Sequence, residues 1–415
     1  MIRLQSLLGL VFLTALAWIL SENRKQINYR TVVTGIALQF GLCLLLLKLP
    51  ACRDVFLLLN KAVMALDFAT TEGTKTVFGF LGGGALPYDE KFPGASFVFA
   101  CRGLPIVLVI SAITSLLFYW RVLPTVVRLM SWVFRRTMGI GGCEALGSAA
   151  NVFVGMVEAP LFIRPYLSDF SRGEIFTVMV TGMATIAGTV MVLYAMILGN
   201  AIPDALGHIL VASIISAPAA IVVSKLMIPQ VGEPVSGMIV HEEEYAGAMD
   251  AIVQGTSRGV QLLINIVAML IVCIALVHLV NLILGGVLPE IGEKPVTLQR
   301  LLGIILAPVA WLLGIPWAEA RTVGSLIGIK TILNEFLAYI ELSGIPAGEL
   351  SERSRIIVTY ALCGFANFGS LGIMIGGLGA MCPEQRPEII KLGFRSILAG
   401  TIATCMTGAM VGIVL

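Results

Sequence analysis

Apolar segments of about twenty residues recur along almost the whole chain, and this feature restricts its fold more than any other. As a helix, each one matches the hydrocarbon thickness of a bilayer. Hydrophobic residues make up 58% of the chain and charged residues 13%, about half the charged fraction of a soluble domain. We therefore predict an all-α polytopic membrane protein with about eight transmembrane helices. They are expected at residues 4–20, 31–50, 97–120, 174–198, 203–227, 260–286, 354–380 and 388–414.

The distribution of charge predicts the orientation of the chain. Arg24, Lys25 and Arg30 follow the first apolar segment, and positive residues favour the cytoplasmic side. The first segment is therefore expected to be a retained helix rather than a cleaved signal. Counting the crossings from there puts both termini on the outer side of the inner (plasma) membrane.

Composition also excludes some classes of partner. The net charge is +2, without a basic tract that would indicate nucleic-acid binding. The eight cysteines lack the CxxC and Cys/His spacings of zinc sites, and they do not indicate a disulfide framework.

Three stretches are expected to lie outside the transmembrane helices. In residues 121–140, arginines recur every seven positions between apolar residues, which predicts an amphipathic helix along the membrane interface. Residues 51–96 predict a short amphipathic helix and an external loop. The charge run at residues 241–244 is expected in a solvated cytoplasmic loop.

Two further segments, 140–168 and 315–345, are apolar but interrupted near their middles by glycine, proline, asparagine and glutamate. They contain Glu158 and Glu335. A carboxylate at membrane depth is costly, so it indicates a functional site. Each segment precedes a span with small polar residues, and broken segments in matching positions of two halves are typical of a transport site.

The order of these segments predicts an inverted repeat. Each interrupted segment is expected to be a re-entrant hairpin, the first entering from the cytoplasmic side and the second from the outside. We therefore divide the chain into four units. Residues 1–139 hold the scaffold spans with the interfacial helix, and 140–228 the first hairpin and its repeat. Residues 229–314 hold a cytoplasmic loop with a scaffold span and connecting helix, and 315–415 the second hairpin and its repeat.

Unwound backbone at membrane depth is tolerated where it lines a cavity, and its carbonyl oxygens could hold a small cation. Taken alone, Thr185, Thr189 and Ser370 are better explained as helix-packing residues, whereas Asn151 and Asn367 fit packing and ligand roles equally well. The spans facing the hairpins are expected to be interrupted by glycines. These are Gly182, Gly188, Gly364, Gly369 and Gly372.

Other polar residues are assigned simpler roles. Glu144 and Glu319 lie near the hairpin entrances, where an interfacial or capping role is expected. His208 is expected to be a packing residue, and Lys330 to neutralise a nearby carboxylate. An intramembrane enzyme using Glu158 and Glu335 as an acid–base pair is a weaker alternative, because no metal-ligand or nucleophile motif supports it. An ion channel lacks a repeated selectivity ring.

The chain resembles the concentrative nucleoside transporters over nearly its whole length. The motifs that carry the resemblance are Asn151-x-x-Val154-Gly155-x-x-Glu158, Asn334-Glu335-Phe336, and Gly364-Phe365-Ala366-Asn367-Phe368-Gly369-Ser370. The resemblance implies a homotrimer whose protomers carry a mobile transport domain and import nucleosides by alternating access. The coupling ion it implies is sodium, or protons in some bacterial members.

The resemblance also implies the site residues. Glu335, Asn367 and Ser370 correspond to ribose-hydroxyl ligands, Phe365 and Val190 to apolar walls, and Glu158 to a polar group near the nucleobase. The implied sodium ligands are the side chains of Asn151 and Thr185 and the backbone oxygens of Val154 and Ile186.

One position departs from the family pattern. Many members have Gln-Thr before the first glutamate, whereas this chain has Met156-Val157. A pocket without those polar groups discriminates less well by hydrogen bonding. Our hypothesis is altered or broadened nucleobase selectivity with ribose recognition retained.

Overall fold

The computed structural model describes residues 2–91, 96–199, 201–235, 245–288 and 295–415. Within these ranges the chain is almost entirely helical, and its one β-bridge joins Ala347 to Leu350. The predicted all-α fold is confirmed. The charge run at 241–244 lies outside the described residues.

Two apolar helices and one long amphipathic helix open the chain: α1 (Ile2–Ile19), α2 (Tyr29–Lys48) and α3 (Pro50–Phe78). The prediction of a short helix after residue 50 is wrong, because α3 has 29 residues. Pro50 occupies its first turn, where the missing amide hydrogen costs nothing, and Gly79 ends it with φ 59°. Charged residues along α3 lower its hydropathy and conceal its length in the sequence.

The next helices are α4 (Phe99–Arg102), α5 (Ile106–Tyr119) and α6 (Val122–Met138). Helix α6 confirms the predicted amphipathic helix. It buries Val127, Phe134 and Met138, whereas Arg128, Arg135 and Arg136 are exposed. The helix ends at Gly139, whose φ of 67° is the left-handed conformation that glycine adopts without strain.

The first interrupted segment forms two short helical pieces that pack against each other. Helix α7 (Gly142–Ala150) is followed by turns over 151–158 and by a 3₁₀ segment, Ala159–Asp169. Three helices follow: α8 (Arg172–Ala184), α9 (Gly188–Leu198) and α10 (Ala205–Met227). The predicted span 174–198 is therefore two half-helices, separated by three residues without helical structure.

The middle of the chain contains α11 (Ala248–Val287) and α12 (Leu298–Leu312). Helix α11 has 40 residues, begins well before the predicted residue 260, and leaves most of its apolar surface exposed. Between α12 and α13 (Trp317–Ile332) the direction changes by 116°. Helix α12 lies at the end of the unit predicted at residues 229–314, and α13 opens the segment predicted to be the second hairpin.

The rest of the chain repeats the element order of α7–α10. Helices α13 and α14 (Glu335–Gly344) pack against each other at the second interrupted segment, α15 (Glu352–Leu362) and α16 (Phe368–Met381) form a second broken helix, and α17 (Arg386–Val414) closes the unit. We call α7–α10 the first repeat and α13–α17 the second repeat. Serine caps α8 and α15 alike: the hydroxyl of Ser171 accepts from the Glu174 amide, and that of Ser351 from the Ser354 amide.

Seven helical segments among the described residues are long and apolar enough to cross a membrane. They coincide with seven of the eight predicted spans. The eighth, 354–380, is broken at 363–367 into α15 and α16, neither of which is long enough alone. Of the glycines expected to interrupt the spans, Gly182, Gly369 and Gly372 lie inside helices, because each glycine costs a helix only about 1 kcal/mol.

Helices α1 and α17 are antiparallel, which fixes the relative position of the chain ends. At one end, the Arg3 guanidinium donates to the Leu415 carbonyl at 2.7 Å. At the other, Glu22 accepts from both Arg172 and Arg395. The hydrogen bond from Arg172 holds the pKa of the Glu22 carboxyl below its usual range. Its contribution to stability is present above the ordinary carboxyl pKa and is lost as pH falls through the lowered value.

Candidate functional site

A cavity of about 1360 Å³ lies between the broken helices of the two repeats and the long helices α5 and α11. Most of the predicted substrate and cation residues line it or lie directly behind its wall. On the far side it is bordered by polar residues of α5 and α11, including Ser111, Ser115, Gln261 and Asn265. The cavity is where the two halves of the predicted site meet.

Glu335 is the first residue of α14 and is 4% exposed. The preceding residue, Asn334, caps the helix by accepting from the Leu337 amide at 2.9 Å. The Glu335 carboxylate accepts at Oε1 from the Tyr194 hydroxyl at 2.6 Å and at Oε2 from Asn367 Nδ2 at 3.0 Å. Each carboxylate oxygen can still accept another hydrogen bond, so the group can bind hydroxyls from the cavity.

Asn367 connects this carboxylate to the start of α16. Its Oδ1 caps the helix by accepting from the Ser370 amide at 2.8 Å, while its Nδ2 donates to Glu335. The backbone before it is unwound, with Gly364 at the break. A Cβ on Gly364 would lie 2.8 Å from the Met183 carbonyl oxygen, so only glycine allows the two broken helices to approach this closely. The structure thus brings Glu335, Asn367 and Ser370 together, as the resemblance implied.

Tyr194 is a site residue that was not predicted. It lies on α9, is 3% exposed, and packs between the rings of Phe336 and Tyr339 at centroid distances of 6.0 and 5.2 Å. Its position one helical turn after Val190, on the same face of α9, was the available signal. Without that signal, a tyrosine in an apolar span is interpreted as a packing residue.

The wall near the first hairpin is apolar. Met156 and Val157 lie in the turn between α7 and the 3₁₀ segment, and both line the cavity with Val190 and Phe365. Val157 packs against α16, where a Cβ on Gly377 would lie 2.7 Å from Val157 Cγ1. Glu158 follows them and is exposed to the cavity rather than buried in the protein. Its carboxylate therefore meets solvent in the cavity.

Behind this wall, the predicted cation ligands meet at the C-terminal ends of α7 and α8. Asn151 is the C-cap of α7 and is 1% exposed. Its Nδ2 donates to the Gly147 carbonyl at 3.2 Å and to Thr181 Oγ1 at 3.3 Å. Its Oδ1 has no hydrogen-bond partner among the described residues. A buried amide oxygen left without a donor is costly, and a bound cation would satisfy it.

Thr185 is the C-cap of α8, and its hydroxyl donates to the carbonyls of Asn151 and Thr181, both at 2.8 Å. Since its single proton is used there, the oxygen lone pairs remain available to a cation. Within the described chain, the carbonyls of Val154 and Ile186 also accept no hydrogen bond. The negative ends of two helix dipoles add favourable potential, so these oxygens suit a small hard cation.

The other polar residues partly differ from expectation. Glu144 is not interfacial: α7 packs against α6 and α10, so Glu144 is fully buried and pairs with Lys225 Nζ at 2.6 Å. Lys330 forms no ion pair among the described residues; its ammonium donates to groups of α15 and α17, while its charge still interacts favourably with the Glu335 carboxylate. Glu319 does cap, accepting from the Ser351 amide at 3.2 Å. His208 packs against Tyr360 and lies 3.0 Å from its hydroxyl.

Family models for sodium-dependent nucleoside transporters match the chain at both ends. The model of the N-terminal part matches residues 8–81, that of the C-terminal part matches residues 208–412, and a nucleoside-recognition gate model matches residues 101–201.

Relatives in curated collections match over the whole length. An uncharacterized transporter of Haemophilus influenzae is 38% identical over 99% of this chain and 97% of its own length. The nucleoside permease NupC of Helicobacter pylori is 36% identical over 98% of this chain and 97% of its own. These relatives are transporters, which confirms that the protein is not an enzyme.

Solved structures agree. The inward-facing, substrate-bound structure of CNTnw is 34% identical, covers 100% of this chain and 98% of its own, and superposes with a TM-score of 0.91. An outward-facing variant of CNTnw superposes with a TM-score of 0.90. With the motifs around Asn151, Glu335 and Asn367, these matches show that the chain is a nucleoside transporter of the concentrative nucleoside transporter family.

Proposed function

We propose that the protein imports nucleosides together with sodium, by alternating access of the two repeats around the cavity. The observation that carries the proposal is the Oδ1 of buried Asn151, which has no hydrogen-bond partner in the described part of the chain and lies beside the Thr185 hydroxyl, where the ends of α7 and α8 meet. A sodium ion there would be held by Asn151, Thr185 and the carbonyls of Val154 and Ile186. Among the described residues, no cluster of three or more histidine, cysteine or acidic side chains offers a site to a divalent metal instead.

Coupling would follow from the shared position of the two sites. Met156, Val157 and Glu158 belong to the same turn as Asn151 and Val154. A bound ion would order this turn and so complete the nucleobase side of the pocket. By linkage, the nucleoside would raise the affinity for sodium by the same factor.

On the substrate side, the ribose hydroxyls would bind Glu335, Asn367 and Ser370, with Phe365 and Val190 as walls and Glu158 near the base. The same cavity is bordered by Arg121, Arg164 and Arg258. Because arginine-rich segments favour the cytoplasmic side, we infer that the cavity opens inward in this conformation. Both termini would then lie on the outer side of the inner membrane.

The division into scaffold and transport units at 1–139, 140–228, 229–314 and 315–415 belongs to the same proposal. So does assembly into a homotrimer. Helix α11 leaves a long apolar face exposed, and contact with identical subunits would cover part of it.

Sodium coupling is tested in proteoliposomes. Uridine and adenosine uptake is expected to require an inward sodium gradient, and Thr185→Val is expected to raise the sodium concentration for half-maximal uptake by about tenfold or more. The control is Thr256→Val, since Thr256 is exposed on α11 and its hydroxyl donates only within its own helix. Equal uptake driven by a pH gradient without sodium would instead establish proton coupling.

Base selectivity is tested with a panel of nucleosides. With Met156 and Val157 at the base, we expect purine and pyrimidine nucleosides to be transported with similar efficiency. The double change Met156→Gln with Val157→Thr is expected to sharpen discrimination. A strict uridine preference in the unaltered protein would contradict this hypothesis and leave ribose recognition untouched.

A further inference from the structure

Lys330 lies in the last turn of α13, one turn before Glu335, and its side chain is completely buried. Its ammonium donates to the Thr404 hydroxyl of α17 at 2.7 Å and to the Ala361 carbonyl of α15 at 3.3 Å. Ala361 is next to last in α15, so its carbonyl has no partner within the helix. Thr404 packs onto the break between α15 and α16.

This environment is unusual for a buried lysine. Within the described ranges, no carboxylate lies within ion-pair distance of its ammonium. A buried charge costs several kcal/mol unless other groups compensate it. Here the compensation comes from a carbonyl, a hydroxyl and the negative ends of α13 and α15. Neutral oxygens at helix ends are also what a small inorganic cation requires.

The first repeat has the same arrangement without a lysine. There, α7 ends at Asn151 and α8 ends at Thr185, beside the break before α9. The closing helix α10 supplies Ser213, whose hydroxyl donates to the Val152 carbonyl at 3.2 Å and accepts from the Ile186 amide at 3.4 Å. The first hairpin arm, the end of the broken helix and a hydroxyl of the closing helix meet in both repeats.

The correspondence is element by element. Helix α13 takes the place of α7, α15 that of α8, and α17 that of α10. The second repeat differs because Lys330 brings its own positive charge, whereas in the first repeat no described residue donates to the Asn151 amide oxygen.

We propose that the Lys330 ammonium is a built-in cation, which fills in the second repeat the position that sodium takes in the first. The comparison with sodium rests on the proposed function. The fixed charge holds the arm of the second hairpin against α15, which sets the position of Glu335 beside Asn367. The tip of the first hairpin is held at this position only when an ion binds, so one repeat responds to sodium and the other does not.

The test is nucleoside binding to the purified protein, measured by calorimetry. Lys330→Met keeps the length of the side chain and removes the charge, and is expected to weaken binding by about tenfold or more. Raising sodium chloride to molar concentration is expected to recover part of this loss, because a free cation can enter the vacated position. Choline chloride at equal concentration is expected to recover none. Thr331→Val, the neighbouring residue, is the control and should bind normally, since its hydroxyl donates only to Ile327 of its own helix.

Binding by Lys330→Met within twofold of the unaltered protein would overturn the proposal. So would a loss that sodium and choline relieve equally. If Lys330→Met does not fold, Thr404→Val is used instead, because it removes only the hydroxyl partner of the ammonium. Nucleoside binding weakened by about threefold or more supports the proposal, and unchanged binding contradicts it. If sodium has no effect on the unaltered protein, sodium coupling is refuted but the role of Lys330 is not. That role is tested separately, by the loss of nucleoside binding in Lys330→Met or Thr404→Val.

Discussion

Replacing Glu335 with glutamine is expected to reduce nucleoside uptake by about a hundredfold or more. The carboxylate already accepts from Tyr194 and Asn367, and it is the group with oxygen lone pairs left for two ribose hydroxyls. Glutamine can keep its oxygen toward Asn367 and turn its amide to the Tyr194 hydroxyl, which can accept. The internal hydrogen bonds are kept, so the fold is expected to survive. Only one strong acceptor remains for the two ribose hydroxyls, so the contact with the substrate is lost.

Uptake by reconstituted protein, with binding measured in parallel, checks this expectation. The control is Glu341→Gln, which makes the same change on an exposed residue of the same helix and should transport normally. Tyr194→Phe removes one of the two fixed donors and is expected to have a smaller effect, about three- to tenfold. Normal transport by Glu335→Gln would remove this carboxylate from the site.

The sequence was sufficient to predict the architecture around Glu335. Helix ends at membrane depth need residues that interrupt apolar runs, so asparagine, glycine and proline locate the turn after α7 and the breaks after α8 and α15. The longer helix α3 was not predicted, because its charges are spread along an amphipathic surface rather than collected at its ends.

Individual contacts were harder to predict, because they depend on which elements pack together. The spacing from Val190 places Tyr194 on the pocket face of α9, but it does not identify the partner of the hydroxyl, a carboxylate 141 residues later. Glu144 was misread for the same reason. It was judged by its sequence neighbours, whereas its partner is a lysine of α10, and the hydroxyl and carbonyl groups that Lys330 reaches lie on α17 and α15.

The Glu144–Lys225 pair has the largest expected effect on stability. Glu144 is 0% exposed and Lys225 6%, and their contact joins the first hairpin arm to the end of α10. Lys225 also donates to Gln230, which donates to the Ser171 hydroxyl that caps α8. Glu144 Oε2 has no hydrogen-bond partner among the described residues, so the ion pair with Lys225 is what offsets the cost of burying this carboxylate. The network fixes the base of the hairpin whose tip contains Asn151.

Glu144→Leu is therefore expected to destabilise the protein by about 3–5 kcal/mol, because it leaves Lys225 charged and unpaired in the interior. The measurement is the thermal unfolding midpoint in detergent, compared at a fixed heating rate.

The double variant Glu144→Leu with Lys225→Met separates the lost pair from the stranded charge. It is expected to be more stable than Glu144→Leu alone, since two apolar side chains replace the pair without burying a charge. If the two substitutions instead destabilise additively, the charges do not depend on each other and the network is ordinary packing. Nonadditivity together with a weakened sodium response in the single variant would show that the ion site at Asn151 depends on how firmly the base of its hairpin is held to α10.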